Sequence, residues 1–156
     1  MISAVDTNIL LDVLLDDVDL AASSQALLQD SATAGPLVLA PAVYAELGAR
    51  LNTRAELDNF LSEFGAKVDN EDRDTLILAG RLWREYAKAR PRRPVCSGCG
   101  AAIAVSCTAC GRTYGARNRM LADFLIGAHA VRRADRLLTR DRGYYRTQFP
   151  DLVIVP

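Results

Sequence analysis

Short apolar runs alternate with stretches of helical period along most of this chain, and each run is closed by a residue that cannot extend it. Ile2-Ser3-Ala4-Val5 has the pattern of a buried strand ending at Asp6, and Thr7-Asn8-Ile9-Leu10-Leu11 opens a helix predicted over 8–15. A second helix is predicted over 20–33, where Gly35-Pro36 stops it. Leu37-Val38-Leu39 reads as the next strand. Pro41 then stands where a first helical turn tolerates proline, and a helix over 42–51 carries Glu46 inside it. Thr53 caps a helix expected over 54–64 and ended by Gly65. Asn70 is placed to cap a longer one, on which Leu76, Ala79, Leu82, Trp83 and Tyr86 share a face. Helical period resumes at Met120 and runs through Leu121, Phe124, Leu125, Ala128 and Val131, after which Leu137-Leu138 and residues 152–155 supply two last strands. Strands alternating with helices predict an α/β domain with a mainly parallel sheet. Two strand ends carry Asp, at Asp6 and after Arg136-Leu137-Leu138-Thr139-Arg140 at Asp141, which gathers carboxylates at the carboxyl edge of such a sheet.

Between Arg90 and Arg119 the pattern breaks: Gly and Pro accumulate, and all four cysteines fall here. This stretch reads as an insertion over 91–118 in a single domain spanning 1–156.

Composition narrows the class. A chain of 156 residues, half of them hydrophobic and 24% charged, is globular and buries enough surface to fold without disulfides. Asp6, Asp12, Asp16 and Asp17 interrupt any leader-like apolar segment, and nowhere do 18 apolar residues run together, so a cytoplasmic protein with no membrane association and with Cys as thiols is expected. The formal charge of zero conceals a polarity: residues 1–74 hold 14 Asp and Glu against 4 Lys and Arg, and residues 75–156 hold 5 against 15. Contact with a polyanion and mutual neutralisation of the two halves account for this equally well. Of the 19 basic residues 17 are Arg, the residue that best matches phosphate.

Four acids, Asp6, Glu46, Asp123 and Asp141, suit phosphodiester cleavage. That reaction needs an activated water and relief of charge on the attacked phosphate, both supplied by divalent ions, and Mg²⁺ prefers carboxylate oxygen. Clustered carboxylates repel one another unless a cation sits among them. Each acid also has a plainer role: Asp6 and Asp123 as helix-starting residues, Glu46 as a solvated helix position, Asp141 as a turn residue before Arg142-Gly143. The capping roles are compatible with metal binding. His129 reads as a partly buried helix residue, and Asp12, Asp16, Asp17, Asp19, Glu71, Asp72 and Asp74 as solvated or capping charges.

The chain resembles the PIN-domain family of ribonucleases, and within it the VapC-type toxins. The resemblance is carried by Val5-Asp6-Thr7-Asn8-Ile9-Leu10, Ala45-Glu46-Leu47, Ala122-Asp123-Phe124-Leu125-Ile126-Gly127-Ala128-His129-Ala130 and Leu138-Thr139-Arg140-Asp141, in that order. It implies a three-layer α/β/α domain, cleavage of RNA with Mg²⁺ or Mn²⁺, and Asp6, Glu46, Asp123 and Asp141 as metal-binding carboxylates. It also implies Asn8 and Thr139 as residues that orient them, and in toxin members a separately encoded antitoxin. The cysteine insertion departs from most toxin members.

Cys96-Ser97-Gly98-Cys99-Gly100 and Cys107-Thr108-Ala109-Cys110-Gly111 match a structural Cys₄ zinc site in residue type and spacing, with a seven-residue linker shorter than in common zinc ribbons. A redox dithiol or an iron–sulfur cluster uses the same ligands. Arg92, Arg93, Arg112, Arg117 and Arg119 flank the module with Tyr114, so it serves either as an RNA-contacting flap or as a structural clip. The expectation is a metal-dependent endoribonuclease, the toxin of a toxin–antitoxin pair. The alternatives are an RNA-processing PIN nuclease of ribosome-maturation type and a noncatalytic zinc-module RNA-binding protein. Apolar faces over 10–15 and 42–51 serve equally as core or as a homodimer surface.

Overall fold

The computed structural model describes residues 1–89, 103, 105–106, 108–111 and 121–156. Five parallel strands, β1 (Ser3–Val5), β2 (Leu37–Leu39), β3 (Lys67–Val68), β4 (Arg136–Leu138) and β5 (Ile154–Val155), form one sheet in the order β3-β2-β1-β4-β5. The helices are α1 (Thr7–Leu14), α2 (Ala21–Ala34), α3 (Pro41–Gly48), α4 (Arg54–Ser62), α5 (Arg73–Ala89), α6 (Leu121–Arg133) and α7 (Arg142–Gln148). They flank the sheet in the three-layer α/β arrangement expected. Among the described residues no helix is long and apolar enough to cross a membrane.

The sheet reverses direction at β1. The chain lays β2 and then β3 to one side of it, and returns to its other side with β4, in register Ser3↔Arg136 through Val5↔Leu138. Such a switch point leaves a crevice beyond the strands' carboxyl ends, where open α/β folds bind their ligands. Asp6 and the segment 139–141 both lie at that edge, and the Asp6 N–H still bonds the Leu138 carbonyl at 3.0 Å. The three central strands, β2, β1 and β4, are largely buried, which is why they read as short continuous apolar runs. The core joins them to Ile9, Leu10, Leu28, Val43, Leu47, Phe124 and Ala128 from the helices.

The structure corrects several expectations. Asp72 takes Asn70's expected capping role, accepting the Thr75 N–H at 2.8 Å. On α5 the buried line is Thr75 and Ala79 with Leu78, Leu82 and Tyr86 against the core, whereas Leu76 and Trp83 are 47% and 39% exposed. On α6, Leu121 and Val131 are also exposed. Helix α3 stops at Gly48 rather than residue 51. Asp141 begins helix α7, accepting the Tyr144 N–H at 3.4 Å, in place of a simple turn. The edge strand β3 was not anticipated, both of its residues being exposed. Gly65 does end the α4 segment: at φ +64° it lets the Ala66 N–H reach back to the Leu61 carbonyl at 3.1 Å.

Candidate functional site

A cavity of about 570 Å³ opens at the switch point, lined by Asp6, Glu46, Asp123 and Asp141 together with Thr7, Asn8 and Arg50. The four acids arrive from four separate places. Asp6 closes β1, Glu46 projects from α3, Asp123 lies in the first turn of α6, and Asp141 caps α7 just beyond β4.

Asp6 is the most buried of them, only 6% exposed. Its Oδ1 accepts the Thr7 N–H at 2.8 Å, so it caps α1 as the sequence suggested. Its Oδ2 accepts the Asn8 amide at 2.8 Å and the Thr139 hydroxyl at 2.6 Å. A carboxylate offers roughly four lone-pair directions, so three accepted bonds leave about one for a cation. Burial raises the Asp6 pKa, the Thr139 and Thr7 hydrogen bonds hold it down, and the charges of Asp123 and Glu46 raise it further; the result is about 6 against an ordinary 3.8. A carboxyl so strained by its neighbours is where a cation gains most. Glu46 accepts a hydrogen bond from the Thr7 hydroxyl, which ties α3 to the start of α1.

Asn8 and Thr139 both donate to the Asp6 carboxylate. Thr139 is fully buried, and its oxygen also accepts from Asn8 at 3.2 Å and from the Asp141 N–H at 3.1 Å. One hydroxyl thereby links two of the four acids. The Asn8 carbonyl oxygen accepts the Arg140 N–H at 3.2 Å, and this turns the Asn8 NH₂ toward Asp6.

Sequence reasoning missed the clamp behind this network. The Arg140 guanidinium reaches Asp12 at 2.6 Å, Ser24 at 2.6 Å and Ser23 at 3.1 Å, and Ser24 in turn donates to Asp12 at 2.6 Å. Asp12 is therefore not a solvated charge: it binds the 139–141 segment to α1 and α2. Only the 3.6-residue placement of Asp12 beneath Asn8 hinted at it, four positions along the same helix face. Tyr145 was also overlooked. It is buried, and its pKa is raised first by burial and then by the Asp6 and Asp123 charges, so the phenol keeps its proton beside the acids.

His129 is more deeply buried than expected. Its Nε2 stands 3.6 Å from Asp69, a carboxylate already paired with Arg133 at 2.8 Å. Burial lowers the His129 pKa against the opposing pull of Asp69, which favours the neutral ring.

The acid set is all oxygen, which suits Mg²⁺ or Mn²⁺ rather than a thiophilic ion. Among the described residues no three His, Cys, Asp or Glu side chains already stand in a geometry that would hold a metal ion. Of the predicted zinc ligands, Cys110 is exposed, while Cys96, Cys99 and Cys107 lie outside the described residues, as do Arg92, Arg93, Arg112, Tyr114, Arg117 and Arg119.

The chain matches the PIN domain family over residues 4–150. It belongs to that family. The structure of this PIN domain is similar to one in the crystal structure of VapBC2 from Rickettsia felis bound to a DNA fragment from their promoter. The TM-score is 0.61 at 18% identity, covering 99% of this PIN domain and 98% of that chain. No curated protein matches it. The family match spans all four acids and the residues that orient Asp6.

Proposed function

We propose that this PIN domain is a metal-dependent endoribonuclease and the toxin of a toxin–antitoxin pair. The observation that carries the nuclease reading is the convergence of Asp6, Glu46, Asp123 and Asp141 on one cavity at the sheet's switch point. Asp6, Asp123 and Asp141 would hold Mg²⁺ or Mn²⁺, with Glu46 helping to bind it or to position the attacking water. A bound divalent ion supplies an acidified water and relief of charge on the phosphate. The chain's own part is to hold the carboxylates ready. Thr7, Asn8 and Thr139 fix Asp6, and the Thr7 hydroxyl fixes Glu46.

The toxin reading rests on the resemblance to VapC proteins and on the likeness to a VapBC2 chain, whose structure contains both proteins and promoter DNA. A separately encoded antitoxin would cover the acidic cavity, and a small neighbouring gene with a DNA-binding segment is the corresponding genomic expectation. We further assign the two Cys-x-x-Cys-Gly pairs to one structural zinc in a module over 91–118, on their spacing.

The test is cleavage of single-stranded RNA by purified protein with Mg²⁺ or Mn²⁺, beside Asp6→Asn, with zinc content measured in both. Cleavage that needs the added ion and disappears in Asp6→Asn, with zinc retained, is the expected result. Equal cleavage by both proteins would place the activity elsewhere and overturn the assignment.

A further inference from the structure

We propose that Arg50 binds a backbone phosphate of the RNA at the mouth of the acidic cavity. The inference rests on the ribonuclease reading above and adds to it a residue that grips substrate. Arg50 lies just past α3, and its N–H bonds the Leu47 carbonyl at 2.9 Å, so the helical turn carries on to it. It therefore follows Glu46 by four residues on the same side, and both line the cavity.

Oppositely charged side chains four apart on a helical turn ordinarily meet. These two do not. Glu46 is occupied by the Thr7 hydroxyl, and Arg50 makes no ion pair with any carboxylate among the described residues, which include all 19 Asp and Glu of the chain. Other arginines around the fold are committed: Arg54 to Asp58 at 3.0 Å, Arg133 to Asp69 at 2.8 Å and Arg140 to Asp12 at 2.6 Å. Among the described residues, Arg50 is the one basic residue lining a cavity that four acids make repellent to a polyanion. Its exposed, planar guanidinium offers two parallel N–H donors, the geometry a phosphate accepts. The acids hold cations while Arg50 holds the anion that must lie beside them.

Two measurements test this on the full chain. The first is Mn²⁺-dependent cleavage of a fluorescein-labelled mixed-sequence single-stranded RNA. The second is binding of the same RNA by fluorescence anisotropy across a NaCl series, in an Asp6→Asn background that needs no turnover. Arg50→Ala is expected to raise KM about tenfold, the loss of one exposed charged hydrogen-bond pair, with kcat within about twofold. The slope of log affinity against log salt should flatten by about 0.7, the value for one phosphate contact on a single strand. Arg50→Lys should recover part of both, and Arg54→Ala, which removes the same charge nearby, should change neither. A wild-type KM and salt slope in Arg50→Ala would overturn the proposal, and so would an equal loss in Arg54→Ala. If the wild-type protein fails to cleave, the ribonuclease reading falls, while the anisotropy arm still decides whether Arg50 contacts RNA.

Discussion

Replacing Asp6 with Asn should make the protein more stable at neutral pH while removing the carboxylate proposed to bind the catalytic ion. The folded chain holds the Asp6 proton up to pH about 6, whereas the unfolded chain releases it near 3.8. Between those values the folded state binds more protons than the unfolded one, so stability falls as pH rises across the interval and stays lowered above it. A displacement of this size corresponds to about 3 kcal/mol. Asn carries no charge and escapes that cost. It accepts the Thr7 N–H as Asp does, but its NH₂ meets the donors of Asn8 and Thr139, at a cost of about 1 kcal/mol. The net expectation is a gain of about 2 kcal/mol at pH 7, equivalent to about 4–8 °C in Tm for a domain of this size. Urea unfolding followed by circular dichroism, from pH 4 to 8 without added Mg²⁺ or Mn²⁺, reads the difference between the two proteins. The advantage should shrink as pH falls through 6 and reverse near pH 4, where wild-type Asp6 is protonated. Adding Mn²⁺ should stabilise the wild type and leave Asp6→Asn behind. An Asn variant less stable than wild type at pH 7, with a parallel pH dependence, would refute the reasoning.

Two further substitutions probe the frame around the site. Arg140→Ala leaves Asp12 without its cation and frees the 139–141 segment, so a loss of about 2–3 kcal/mol in urea unfolding is expected; a change under about 0.5 kcal/mol would show the clamp to be idle. A Cβ at Gly127 would meet the Phe149 ring at 2.2 Å, and that ring is buried among Phe124 and Tyr145. Gly127→Ala should therefore cost about 1–3 kcal/mol despite alanine's better helix propensity, and a raised Tm would contradict the packing.

What could be read from the residues was what local pattern dictates. β1, β2 and β4 are apolar runs closed by Asp6, Ala40-Pro41 and the 139–141 turn, and a parallel sheet buried on both faces produces such runs. Asp6, Asp123 and Asp141 were visible because each closes or enters an element and Glu46 through the family resemblance, and all four line one cavity. The features that escaped are set by tertiary partners. β3 is a two-residue edge strand whose Lys67 and Val68 face solvent, so it carries no alternation. Helix α7 holds Gly143 and two tyrosines, and its place depends on Tyr145 entering the core. Asp12 looked like any surface acid because Arg140, its partner, lies 128 residues away. On α5 an apolar face was legible, but whether Leu76 or Thr75 turns inward depends on how α6 packs against it.

The sheet order also dictates when this acidic cavity comes into being. β1 is made first and can pair with β2 after residue 39, but its other edge has no neighbour until residues 136–138 are synthesised. The hydroxyl that steers Asp6 is contributed by Thr139, 133 residues downstream, and Asp141 follows it. Nascent chains shorter than this lack both, and their Asp6 stands beside an open strand edge exposed to mispairing. The cavity is thus completed only once β4 has been made and has joined β1, bringing Thr139 and Asp141 to Asp6.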